Sequence, residues 1–321
     1  HRDLHSFPTR RSSDLNGWVR LLSSGRITVA GGNLVLNGPI ELTSVSSAPS
    51  LVLNPSSGIL TVSNRIDIGS GAMSFHSGSV NFLCATGHVW NQASVQYGNT
   101  LRLGVENALP VERPLMLGNS TPGNGRLDVY GYNQTVARLL ESGTVGSLPN
   151  NIITNTRPQL VSTFTVSHAA GVSDSFGGRI NGAVSLVKAG AADSVLTLRG
   201  TNALTGTVSV QGGTLALDAA GTLGAGCVEI SVEEGTLSLG NSASVSDDAT
   251  LILAGGGGAK VHIEAGVNES VRNLFLNGKQ RRVGTYGSSA SAATNKDDTY
   301  FSGTGVLTVL RDNSGTVIFM K

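Results

Sequence analysis

Charge is scarce in this chain. Only 13% of its 321 residues are Asp, Glu, Lys or Arg, about half the roughly 25% of an ordinary globular protein. Aromatic residues make up 5%. The only two cysteines, Cys84 and Cys227, are too few for a disulfide framework. No apolar run approaches the ~18 residues of a membrane helix, so no membrane span is expected. The histidines lack the spacing of a metal site, and helical periodicity is nearly absent. What the chain has instead is glycine, 43 residues, roughly double the usual share of about 7%. It also has 39% hydrophobic residues, with Val, Leu and Ile at every second position. That alternation is the mark of short strands and argues against disorder.

The first fifteen residues, HRDLHSFPTRRSSDL, stand apart. They are basic and show no alternation. Back-translated with ordinary codons, they resemble one reading frame of an adapter oligonucleotide used in short-read DNA sequencing. Residues 1–15 are therefore set aside as a non-native segment, and the true N-terminus is expected to lie elsewhere. Setting them aside removes three arginines and two aspartates, so the charge counts of 22 and 21 become 22 − 3 = 19 and 21 − 2 = 19. A neutral chain gives no steering towards nucleic acid, and none is expected as a partner.

Strand signals such as Leu34-Val35-Leu36, Leu51-Val52-Leu53 and Met73-Ser74-Phe75 follow one another, each bounded by Gly, Ser, Asn or Pro. Thr135–Leu140 suits one helical turn or a strand. A phrase of Gly, a small polar residue and Leu-x-Leu recurs, as in Gly213-Thr214-Leu215-Ala216-Leu217 and Gly235-Thr236-Leu237-Ser238-Leu239, 235 − 213 = 22 residues apart. A period near 20 residues with about three strands per unit predicts a parallel β-solenoid. An antiparallel barrel or sandwich is the competing all-β reading, and it would need longer strands with tight turns.

The segment Phe176–Gly182, then Val184-Ser185-Leu186-Val187-Lys188-Ala189-Gly190, Leu196-Thr197-Leu198-Arg199-Gly200-Thr201-Asn202, Thr205-Gly206-Thr207-Val208-Ser209-Val210 and Gly213-Thr214-Leu215 resembles an autotransporter-associated β-strand repeat. It departs in a longer turn, Ala189–Ser194, and in Leu204, where an aromatic is common. Residues 274–309 resemble the ending of large repeat-rich bacterial surface proteins. The resemblance covers most of residues 95–310. It implies an all-β, right-handed parallel β-helix and a secreted or cell-surface passenger, structural or adhesin-like, without catalytic activity. Solenoid repeats are assigned to 16–267 and a C-terminal end or cap segment to 268–321. No barrel follows, so export is expected to use another route, or the gene continues.

Parallel β-helices also house polysaccharide lyases and hydrolases, so a carbohydrate-active enzyme is the alternative. A scaffold fragment of a longer surface protein is the third reading. A glycosidase needs two converging carboxylates. The acidic pairs Glu233-Glu234, Asp247-Asp248 and Asp297-Asp298 are adjacent in sequence, a spacing that marks solvated turns, because neighbours on a strand face opposite ways. Gly255–Gly258 is followed by no Asp ligands, so the calcium-binding nonapeptide is absent. Cys84 and His88 lack an orienting third group and read as a buried thiol and a surface histidine, while His76, His168 and His262 read as isolated. Lys279, Arg281 and Arg282 form a basic cluster, either a solvated hairpin tip or a contact to an anionic surface polymer. Tyr97, Tyr130, Tyr132, Tyr286 and Tyr300 read as packing before sugar stacking. No catalytic, metal or cofactor residue is assigned. The partner expected is a surface polysaccharide or another cell-surface component.

Overall fold

The computed structural model describes residues 13–42, 49–84, 87–119, 124–144, 146–256 and 258–312. Residues 1–12 of the adapter-like segment 1–15 and the last nine residues lie outside that set. Among the described residues the chain is all-β apart from one 3-10 turn, Leu148–Asn150. Its strands stack as the coils of a parallel β-solenoid. Thr135–Leu140 falls in two strands, Gln134–Val136 and Arg138–Glu141. Apart from antiparallel pairs near the C-terminal end, neighbouring strands of the described ladders run parallel, which excludes the barrel and sandwich readings.

Contacts divide the chain into two units. The first holds residues up to 169 together with 174–185, and the second holds 170–173 and everything from 186 onwards. In the first unit one ladder stacks Leu34, Leu60, Val80, Leu101, Leu127, Ile153 and Ile180 in register. A second stacks Leu51, Met73, Ala93, Leu115 and Leu139. All are buried, each large side chain contributing about 1.5–3 kcal/mol. The strand Ser13–Leu15 pairs with Leu34–Leu36 at the first ladder's start. In the second unit Leu196, Leu215, Leu237, Val261 and Phe301 form one row. Val208, Ile230, Leu251 and Leu274 form another.

Coil length is not fixed at 22. The step from Leu60 to Val80 is 80 − 60 = 20 residues and that from Ile153 to Ile180 is 180 − 153 = 27. Inward positions must stay in register, so loops between strands absorb the difference. The Gly-Thr-Leu phrase has a backbone cause. Gly213 sits at φ +69°, and a Cβ there would lie 2.5 Å from the carbonyl oxygen of Ser194 in the coil before. Only glycine satisfies both demands; Thr214 then faces outward and Leu215 inward.

Parallel stacking gives way near the end of the second unit. Asn273–Leu276 turns back on Lys279–Gln280, antiparallel, through Asn277 and Gly278, both at positive φ. Gly284–Gly287 runs antiparallel to Val306–Val309 and parallel to Asn295–Lys296.

Candidate anion-binding groove

An Asn-Gly pair with both residues left-handed is the two-residue hairpin turn that matches strand twist. It places Lys279 at an exposed tip and sends Arg281 and Arg282 back towards Gly284–Gly287. Asn295–Lys296 pairs with that same strand. The result is a groove lined by Gln280, Arg281, Arg282, Tyr286, Asn295 and Lys296, with Asp297 and Thr294 also on its walls. Arg281 and Arg282 were legible as a basic pair; Lys296 joins them only through strand pairing. Among the described residues no carboxylate makes an ion pair with any of the three. Arg281 Nε is buried and meets no acceptor there. Tyr286 is 6% exposed and donates its hydroxyl to the carbonyl of Arg282 at 2.8 Å. Burial raises its pKa, so it supports the wall and offers no ring face.

The arginines of the first unit are spent differently. Arg65 bridges Glu41 and Asp67, which are register neighbours, so these two carboxylates carry their own counter-charge. Arg102 donates to buried Asp128 at 2.9 Å and lies over the Tyr130 ring, with Arg157 also against that ring. Arg138 donates to Asp174, whose side chain is 2% exposed, and fully buried His168 reaches the same carboxylate at 3.2 Å. That hydrogen bond from Arg138 is the main reason its pKa is raised.

Several readings from sequence are corrected by these contacts. Cys84 is only half-buried, and His88 is not a surface residue. The Ile66 N–H donates to His88 Nδ1 at 3.0 Å, so the proton sits on Nε2, 2.9 Å from the carbonyl of Cys84. Burial lowers the His88 pKa. A neutral ring committed to backbone on both sides cannot act as base for the thiol. The other histidines are not isolated. His76 packs on Tyr97, the ring centroids 4.7 Å apart, and its pKa is lowered by burial first and by Arg26 second. His168 belongs to the Arg138–Asp174 cluster. His262 stands beside Ser302 in register, with Nδ1 3.0 Å from Ser302 Oγ and Nε2 3.3 Å from Glu264. Sequence could not join Ser302 to His262, because forty residues separate them.

The acidic pairs fall in turns as read. Glu233 accepts from Ser209, Asp247-Asp248 lies in the turn before Thr250–Leu253, and Asp297 and Asp298 accept the amides of Thr299 and Ser289. Hydrogen bonds from the amide and side chain of Ser289, and after them the charges of Lys260 and Lys296, hold the Asp298 pKa down. Gly257 of the four-glycine run lies outside the described residues. Among the described residues no group of three His, Cys, Asp or Glu is placed to hold a metal, and no helix is long and apolar enough to cross a membrane.

Two buried ionisable groups in the second unit are structural. Lys188 occupies the inward slot after Val184 and Leu186 and is fully buried. Its ammonium donates to the carbonyls of Ala189 and Gly212 and to Ser194 Oγ at 2.8–3.1 Å. It has no carboxylate among these partners, and burial lowers its pKa to about 8. Cys227 is pushed the other way, to about 11, also by burial. Unfolded, the two groups titrate near 10.5 and 9.0. Between pH 8 and 10.5 the unfolded chain holds more protons at Lys188, so stability rises with pH; between pH 9 and 11 it holds fewer at Cys227, so stability falls. Urea unfolding is therefore expected to show a gain of about 1 kcal/mol from pH 8 to 9. Above pH 9 the two effects oppose. Lys188→Met should abolish the gain, and Cys227→Ala should extend it towards pH 10.5. A wild-type profile flat from pH 8 to 9 would show that Lys188 titrates normally.

Comparison with protein-family models, with curated proteins and with solved structures finds no match to this chain.

Proposed function

We propose that this chain is a non-enzymatic β-solenoid from a secreted or cell-surface protein, structural or adhesin-like in role. The observation that carries this reading is how the polar residues are used. Across the described coils the inward rows are mostly apolar, aliphatic with some phenylalanine, and many of the buried polar groups staple turns. Asn155 donates to the carbonyls of Leu160 and Ala183, Asn202 to those of Gly200 and Thr222, and Glu269 accepts the amides of Ser244 and Ser270. Such a scaffold extends by repetition and leaves recognition to outward positions and end segments. The family resemblance supports the surface setting. An antibody against the purified chain, applied to intact host cells before and after protease shaving, tests it. Surface signal removed by shaving is expected; signal only after lysis would refute the location.

A hydrolytic reading has one observation in its favour, the Ser302–His262–Glu264 series, which has the order of nucleophile, base and orienter. Its Glu264 and His262 side chains are 57% and 35% exposed on an open sheet face, where water screens the carboxylate's hold on the imidazole. A fluorophosphonate probe is expected to leave the chain unlabelled. Labelling that Ser302→Ala removes would establish a hydrolase and displace the first reading.

A further inference from the structure

We propose that the groove lined by Arg281, Arg282, Asn295 and Lys296 binds the carboxylate-bearing sugars of an acidic polysaccharide. This gives the surface-protein reading a class of partner, and because the test uses purified chain it stands or falls independently of cellular location.

Three features carry the inference. The first is unspent charge. Arg65, Arg102 and Arg138 are each held by a carboxylate, whereas Arg281, Arg282 and Lys296 have no such partner among the described residues. Lys296 donates only to the carbonyl of Ser289, at 3.1 Å. In a chain this poor in charge, three cations from two separate segments meeting in one groove is a local excess. Asp297 on the wall, Asp298, whose charge attracts Lys296, and Asp312, which accepts the amide of Val283 beside Arg282, offset part of that charge, but among the described residues none of them makes an ion pair with a groove cation. The second is a donor without an acceptor. Arg281 Nε is buried with none among the described residues, and a guanidinium presents its donors in a fork that matches a carboxylate. The third is the chemistry of the remaining wall. Gln280, Thr294 and Asn295 offer amides and a hydroxyl that suit sugar hydroxyls. Asp297 can accept from a hydroxyl, a donor that every sugar of a polyuronate carries and a single-stranded DNA backbone lacks along its length. The groove's one aromatic ring is buried, so it has no platform on which nucleic acid bases could stack. Spaced carboxylates among many hydroxyls are the chemistry of a polyuronate.

The test is affinity electrophoresis and calorimetry of the whole chain with sodium polygalacturonate, with dextran as neutral polymer and a single-stranded oligonucleotide as polyphosphate. Retention by polygalacturonate alone, weakening with salt, is the expected result. The double variant R281Q/R282Q should lose about tenfold in affinity or more, as removal of two charge-assisted forks implies. R113Q/R126Q changes the net charge equally at two exposed arginines elsewhere and should bind as wild type. K296Q, on the exposed two-residue strand, should weaken binding without disturbing the fold, which keeps the test decisive if the double variant misfolds. No retention by polygalacturonate, equal loss in R113Q/R126Q, undiminished binding by K296Q, or tighter binding of the oligonucleotide would each overturn the proposal.

Discussion

Phe82→Ala is expected to cost about 3–5 kcal/mol, the range for deleting a buried aromatic. Phe82 is fully buried in the first ladder, between Val62 and Leu103. Its ring meets Phe75 edge-on at 5.7 Å, Trp90 edge-on at 6.0 Å and His88 at 4.8 Å. Edge-to-face pairs add to the area term, and the variant loses all three at once. The coils above and below are locked in register, so the void cannot collapse freely, which places the cost towards the upper end. Both tryptophans, Trp18 and Trp90, lie in the first unit, so tryptophan fluorescence in urea reads that unit. Its midpoint should fall steeply, while circular dichroism continues to show β-structure from the second unit. Solenoid stability is a sum of local terms and nearest-neighbour terms, so partial unfolding is the natural response. A loss under about 1 kcal/mol would mean that the aromatic cluster is not tightly packed.

Arg138→Met is expected to cost about 3 kcal/mol, because it strands a buried carboxylate. Asp174 is 2% exposed at its side chain and His168 is fully buried, whereas Arg138 reaches solvent at 41%. The loss therefore falls on the acid: removing the guanidinium takes away its charge-assisted donors. Screening of the half-exposed arginine keeps the figure at the low end of the range. Asp174→Asn in the Arg138→Met background should recover much of the loss, because a neutral amide tolerates burial far better than an unpaired charge. The check is a double-mutant cycle read by fluorescence. If the double variant is no better than Arg138→Met, the stranded charge is not the cause.

How much of this was legible in sequence depends on the range of the interaction. Alternation at Leu34–Leu36 or Leu215–Leu217 is a property of adjacent residues, and it marked strands and inward faces correctly. The same alternation places Lys188 inward after Val184 and Leu186, so its burial was readable in principle; the habit of leaving lysines on the surface hid it. The turn chemistry of Asn277-Gly278 was equally local, and it made Lys279 a hairpin tip. His88 was misread because its environment is not local. Phe82 and Trp90 are near it in sequence, but the Ile66 amide that fixes its tautomer comes from the previous coil, 22 residues away.

The sequence by itself determined the all-β class, the coil-and-ladder principle and the glycine positions, because period-two patterning and positive-φ turns are written within a few residues. Tertiary structure alone decided which charges meet. Coils here vary from 80 − 60 = 20 to 164 − 134 = 30 residues in the first unit, so no fixed offset tells which outward side chain stands beside which. Arg138 and Asp174 are thirty-six residues apart, His262 and Ser302 forty. Lys296 joins Arg281 and Arg282 only through the pairing of two short strands at the end of the second unit. Register across variable loops is set by the packing of the whole core, and that is where the groove was made.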